Sequence, residues 1–140
     1  MQQRTFLKSL NDAFEGFVYV VQNEKNMRIH FLIGFIVLLC GILLGVTRME
    51  WIILCTVSCF VWAAEMFNTL IEETMDFVQG EFHPAVRVIK DVSAGIVLIA
   101  VMNSIIVGFL IFSKYLSWPL QFAITHIRYS PLEVSFLSVL

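Results

Sequence analysis

Charge is scarce in this sequence. Asp, Glu, Lys and Arg make up 14% of its 140 residues, against roughly 25% in a soluble domain. A chain this short buries only about two-thirds of its surface on folding. With 59% hydrophobic residues and a mean hydropathy of +0.83, it could not also present a polar exterior. A soluble enzyme and a disordered chain are disfavoured on that ground. A basic excess is missing too: the net charge of −2 and pI near 5.9 argue against a nucleic-acid footprint, and no nucleic acid is expected as a partner. Cysteines are few. Cys40, Cys55 and Cys59 all lie in apolar runs, their number is odd and their spacing fits no zinc pattern, so they read as small packed or lipid-facing residues. There is no basic tip followed by an apolar core at the start, so no cleavable signal peptide is expected. Repeats and low-complexity tracts are missing, as are GxxxxGK(S/T) and GxGxxG, so a nucleotide site here is neither a P-loop nor a protein-kinase loop. What remains is a small integral membrane protein, too short for a second domain.

Three apolar stretches suit membrane helices. The first is IHFLIGFIVLLCGILLGV, 29–46, near the lower limit of about 17 residues for a span. The second opens at Trp51 and is long enough only if it continues past Glu65 and Asn68 to about residue 71. The third, 92–112, has no charge at all. A polar loop is expected from Glu72 to Asp91. Ahead of the first span, Phe6, Leu10, Phe14, Phe17 and Val21 recur at three- and four-residue spacing, with Arg4, Lys8, Asn11, Asp12 and Glu15 on the other side. That is the pattern of an amphipathic helix in the membrane interface, over about 4–27. The fold class is therefore all-α integral membrane, with one interfacial helix and three transmembrane helices. Gly41 and Gly45 form a GxxxG on the first span, and Ser93, Ala94 and Gly95 give the third a similar small face, both suited to close helix approach.

Topology follows from basic residues at the span ends. Arg4, Lys8, Lys25, Arg28, Arg87 and Lys90 fall on one side, and Arg48, Lys114 and Arg128 on the other. The richer side is expected to be cytoplasmic, which puts the Glu72–Asp91 loop inside and the C-terminus outside. The tail, 117–140, contains Pro119 and Pro131 and is too short to span; it is expected on the outer leaflet, with no role that its residues reveal.

Acid within the second span is the informative feature. Glu65, Asn68, Glu72 and Asp76 are spaced by three, four and four, which places them on one helix face. An acid at the depth of Glu65 costs about 2.5–3.5 kcal/mol unless partnered or wetted, so it points to function; the structural alternative is an acid that joins helices through Asn68 or a hydroxyl. Glu73 points off this ladder and is expected to be solvated. Glu24, Asn26 and Arg28 precede the first span, and Lys90 and Asp91 the third, all at the same interface as Glu72. Carboxylates without His or Cys suit a hard cation such as Mg²⁺, which takes the rest of its shell from water and nucleotide phosphates. Lys90 suits phosphate as a point charge, and the start of the third helix is expected beside it, with free backbone donors. His83, next to Pro84, could border a nucleotide or simply be exposed; His30 and His126 fall at scattered positions.

These segments also resemble a known family. AEMFNTLIEETMD, 64–76, resembles the E-x-x-N-(T/S)-x-(I/L)-E-x-x-x-D signature of the prokaryotic diacylglycerol kinase family. IKDVSAG, 89–95, resembles its second element, with Ile89 where a small residue is usual, and AFEGFVYVVQNEKNMRIH, 13–30, resembles its N-terminal region. EWIILC, 50–55, and FHPAV, 82–86, look like the Gram-positive branch, whose members phosphorylate undecaprenol. The resemblance covers about 4–112. It implies a lipid kinase domain over 1–116, a homotrimer, and active sites between protomers at the cytoplasmic face of the bacterial inner membrane. It implies ATP as phosphoryl donor, Mg²⁺ as cofactor and a membrane lipid alcohol as acceptor, undecaprenol ahead of diacylglycerol. The family's general base falls on Glu65 and its active-site amide on Asn68. Its Mg²⁺ ligands fall on Glu24 and Glu72, and its conserved aspartate on Asp76. Its nucleotide contacts fall on Glu24, Glu72, Glu81, Phe82, His83, Lys90 and Asp91, with Asn26 and Arg28 nearby. The family's N-terminal basic contact falls on Arg4 or Lys8. Two readings from other classes stand beside it: a proton-coupled carrier, against which the clustering of acids at one surface argues, and an accessory membrane subunit, which would not need them aligned with Lys90 and Asp91.

Overall fold

Local signals set the ends of four helices in the computed structural model, which describes residues 5–78 and 83–128, those from 117 on by backbone alone. No strand occurs among the described residues. Helix α1 is Phe6–Asn23, α2 Lys25–Leu44, α3 Arg48–Val78 and α4 Pro84–Arg128. Lys25–Leu44, Arg48–Val78 and the Pro84–Leu116 part of α4 are long and apolar enough to cross a membrane.

The break between α1 and α2 is one residue long. Glu24 is extended (φ −94°, ψ 120°), and its N–H closes α1 on the Val20 carbonyl. Its own carbonyl accepts from Arg28 N–H, the first bond of α2. The Arg28 guanidinium donates to the Gln22 carbonyl at 3.2 Å and braces the elbow. The chain therefore turns at Glu24, earlier than the apolar run alone indicates. Along α1, Phe6, Leu7, Leu10 and Phe14 are exposed as an apolar row of the kind that lies in a membrane interface. Phe17 meets Phe31 of α2 edge-on, with ring centroids 6.2 Å apart.

Helix α2 ends in a Schellman closure. Gly45 adopts the left-handed conformation (φ 64°), its N–H bonds the Ile42 carbonyl, and Val46 N–H bonds the Gly41 carbonyl. Thr47 then starts α3 through a capping box: Thr47 N–H donates to Glu50 at 2.8 Å, and Glu50 N–H bonds the Thr47 hydroxyl. This reciprocal pair explains how two helices reverse through so short a connection.

The α2–α3 joint follows a seven-residue rhythm. Met27, Gly34 and Gly41 are the buried positions of α2. On α3 the buried Leu54, Ser58, Val61, Glu65 and Asn68 step by four, three, four and three, a row that α2 and α4 share, since Val61 packs on Ala100 and Asn68 meets Ser93. The close-approach glycine is Gly34, not Gly45, which ends the helix. A Cβ on Gly34 would lie 2.8 Å from the Trp62 ring. Gly34→Ala is therefore expected to cost about 1–3 kcal/mol through overpacking. Thermal unfolding in detergent checks this, and an unchanged melting temperature would contradict it.

Helix α3 has 31 residues, about 46 Å at 1.5 Å per residue, while the hydrocarbon core is about 30 Å thick. Its Glu72–Val78 end stays helical and α4 resumes at Pro84, so most of the expected Glu72–Asp91 loop is helix. His83 begins α4 as a cap. Its Nδ1 accepts Ala85 N–H at 3.2 Å and its carbonyl accepts Val86 N–H. Pro84, with no N–H to satisfy, takes the first helical position. Ala100, Val97 and Val101 of α4 pack on Val61 and Ala64 of α3. The chain divides into two compact units, Met1–Val107 and Gly108–Leu140. In the second, the helical backbone runs to Arg128, into the segment expected as a separate tail; the residues after it lie outside the described ones.

Candidate active site on the long acidic helix

The polar residues of α3 draw in a side chain from every other helix. Glu65 sits deepest, 3% exposed. His30 of α2 faces it, with Nε2 3.1 Å from Oε1. One turn on, the buried Asn68 accepts a hydrogen bond on Oδ1 from Ser93 of α4 at 2.7 Å and donates from Nδ2 to Glu72 at 2.9 Å. A further turn on, Asp76 pairs with Lys90 of α4, Nζ to Oδ1 2.5 Å. Thr69 returns its hydroxyl to the Glu65 carbonyl at 3.1 Å. Four steps of one face thus lead from a buried acid to an exposed ion pair.

Two contacts differ from the expectations. Glu73 is not merely solvated, because the Tyr19 hydroxyl of α1 donates to its carboxylate at 3.0 Å. That hydrogen bond, with the charges of Glu73 and Glu24, holds the Tyr19 phenol above its usual pKa. The free backbone donors expected beside Lys90 and Asp91 are also absent. Helix α4 begins at Pro84, so both residues lie well inside it, where each N–H is taken by the preceding turn. Asp91 lies along the helix from Arg87, 3.7 Å away, both exposed.

Beneath the Tyr19–Glu73 bond, α1 and α3 enclose a groove of about 690 Å³. Val20, Phe67 and Leu70 give it apolar walls, and Met66 and Thr69, the next residue and the next turn after Glu65, also line it. Its size is that of a small-molecule site, and its lining suits an apolar chain.

Asn26 and Arg28 are exposed beside the Glu24 elbow. Arg4, Glu81 and Phe82 lie outside the described residues; Lys8 is exposed on α1. Glu24 at the elbow and Glu72 on α3 are both partly buried. No group of three or more His, Cys, Asp or Glu side chains forms a metal cluster among the described residues. Carboxylate oxygens are the donors Mg²⁺ takes from a protein, with its remaining oxygens from water and phosphate. The donor set therefore fits that ion. His30 is the residue that spacing missed. The available signal was a histidine in an apolar span, opposite an acid that needed a partner.

The prokaryotic diacylglycerol kinase family model matches residues 11–112. The chain belongs to that family. Membership makes it a multi-pass membrane lipid kinase, which sets aside the carrier and accessory-subunit readings. Over 107 residues the kinase is 34% identical to the undecaprenol kinase of Bacillus subtilis, covering 76% of this chain and 87% of that protein. Over 103 residues it is 33% identical to the diacylglycerol kinase of a Synechocystis species, covering 73% of this chain and 59% of that one. The family match begins within α1 and ends within α4, so it takes in every residue of the α3 ladder and each of its partners.

Proposed function

We propose that this kinase transfers the γ-phosphoryl group of ATP to undecaprenol, with Mg²⁺, at the cytoplasmic face of the bacterial inner membrane. The observation that carries the reading is the depth of Glu65. A carboxylate 3% exposed within an apolar helix stands at the head of a polar ladder to the surface, and the apolar groove between α1 and α3 suits the chain of a lipid alcohol.

Glu65 takes the proton of the lipid hydroxyl as that oxygen attacks the γ-phosphorus. Asn68, fixed by Ser93 and Glu72, holds the polar end of the ladder in register. Glu24 and Glu72 would hold Mg²⁺, and the ion would supply neutralisation of the charge that develops on the phosphates. Lys90 meets phosphate by turning from Asp76, which keeps it in place until then. Glu81, Phe82 and His83 border the nucleotide, with Asp91 alongside and Asn26 and Arg28 flanking Glu24. The kinase domain spans 1–116, followed by the tail 117–140. The basic residues clustered at the α1–α2 elbow and the start of α4 support the cytoplasmic orientation. A homotrimer, as the family resemblance implies, would cover the exposed apolar faces of these helices.

Undecaprenol is preferred because the match to the Bacillus protein covers 87% of that enzyme, against 59% for the Synechocystis diacylglycerol kinase. Diacylglycerol is the second reading, on the strength of that relative. Offered both lipids at equal concentration in mixed micelles with labelled ATP, the protein is expected to label undecaprenol more heavily. Heavier labelling of diacylglycerol would overturn the choice of acceptor.

A further inference from the structure

Glu65 has one side-chain partner among the described residues, and it comes from another helix. His30 places Nε2 3.1 Å from Oε1, with the histidine side chain 20% exposed and the acid 3%. An ionised carboxylate only accepts hydrogen bonds, so Nε2–H is the ring group that can serve it at this separation. The contact falls on one oxygen, Oε1.

His30 is itself held on two sides. Its carbonyl accepts the Trp62 indole N–H at 3.2 Å, one turn before Glu65 on α3. The Trp62 ring seats on Gly34, one turn after His30, and stacks obliquely on Phe31 with centroids 5.0 Å apart. This joint locks α2 to α3 through a main-chain carbonyl, an indole and a glycine. Holding the helices together does not need an imidazole. What the ring adds at this depth is a directed donor for one carboxylate oxygen.

We propose that His30 is a positioning residue for phosphoryl transfer, its Nε2–H fixing the Glu65 carboxylate in the orientation that receives the proton of the acceptor hydroxyl. This rests on the reading of Glu65 as the base. In the step it serves, the hydroxyl O–H bond breaks and its oxygen bonds to the γ-phosphorus. The bridging O–P bond of ATP breaks to release ADP, and the proton rests on Glu65. His30 stays neutral throughout.

The test is steady-state kinetics of lipid phosphorylation by the full chain in micelles. It compares wild type, His30→Ala, His30→Gln, Glu65→Gln and the double variant His30→Ala with Glu65→Gln. Loss of orientation at a reacting group costs about 100-fold. His30→Ala is expected to lose about that in kcat with KM for ATP unchanged, since the group acts only in the transition state. His30→Gln, which keeps an N–H donor, is expected to recover most of the loss. In the Glu65→Gln background, His30→Ala is expected to remove nothing more, because there is no base left to orient. Equal losses in His30→Ala and His30→Gln, with a lowered melting temperature, would show a structural residue and overturn the proposal. Full activity in His30→Ala beside an inactive Glu65→Gln would overturn it and leave the base assignment standing. Full activity in Glu65→Gln would overturn the base assignment itself.

Discussion

Replacing Glu65 with Gln is expected to slow lipid phosphorylation by about 10²- to 10⁴-fold, the usual contribution of a positioned general base. Gln has the same shape and keeps a carbonyl oxygen able to accept from His30 Nε2. The backbone carbonyl of residue 65 still receives the Thr69 hydroxyl. Only the proton acceptor is lost, so the melting temperature and nucleotide binding are expected to stay close to wild type. Placing a neutral amide at a site 3% exposed also relieves the burial of a charge, so stability is not expected to fall, and a variant that stays folded but inactive is the signature of an acid kept for chemistry. Rate, unfolding and ATP binding are measured on the same preparation. A rate within a few-fold of wild type would remove Glu65 as base.

Glu72→Gln is expected to have the next largest effect, on the metal. A charge-assisted contact is worth roughly 1.5–3 kcal/mol, so the Mg²⁺ concentration for half-maximal rate should rise by about 10- to 100-fold. The Gln carbonyl can still accept from Asn68 Nδ2, which leaves the Ser93–Asn68 connection intact. The loss is therefore expected to be recovered in part by excess Mg²⁺. Titration of activity with Mg²⁺, repeated with Glu24→Gln, checks it. Unchanged metal dependence in both variants would contradict the assignment of these two residues as ligands.

Along a single helix, periodicity carried far. Glu65, Asn68 and Glu72 could be placed on one face from their spacing, because a helix converts three- and four-residue steps into neighbours. The structure joins Asn68 to Glu72 along that face. The amphipathic and apolar runs likewise revealed four helices. Contacts between helices were less legible. His30 and Glu65 meet because Trp62 packs on Gly34 and sets how far α2 is shifted along α3, and no pattern within either helix encodes that shift. Tyr19 reaches Glu73 only because the chain bends at Glu24. The start of α4 was hidden for a different reason. Arg87, Lys90 and Asp91 read as loop polarity, yet they follow a His83–Pro84 cap that begins the helix outside the apolar span. Gly45 shows the same ambiguity: glycine near a helix end serves close packing or termination equally well, and here a left-handed φ assigns it to termination.

The central claim is that this acid ladder belongs to a kinase acting on a membrane lipid alcohol. The most direct measurement is transfer of label from γ-labelled ATP by the purified, folded wild-type chain in lipid-detergent micelles containing undecaprenol. It is run with Mg²⁺ and again with excess chelator. A labelled, organic-extractable lipid phosphate is expected to form with Mg²⁺ and to disappear with chelator. Folded protein that labels neither undecaprenol nor diacylglycerol under these conditions would contradict it.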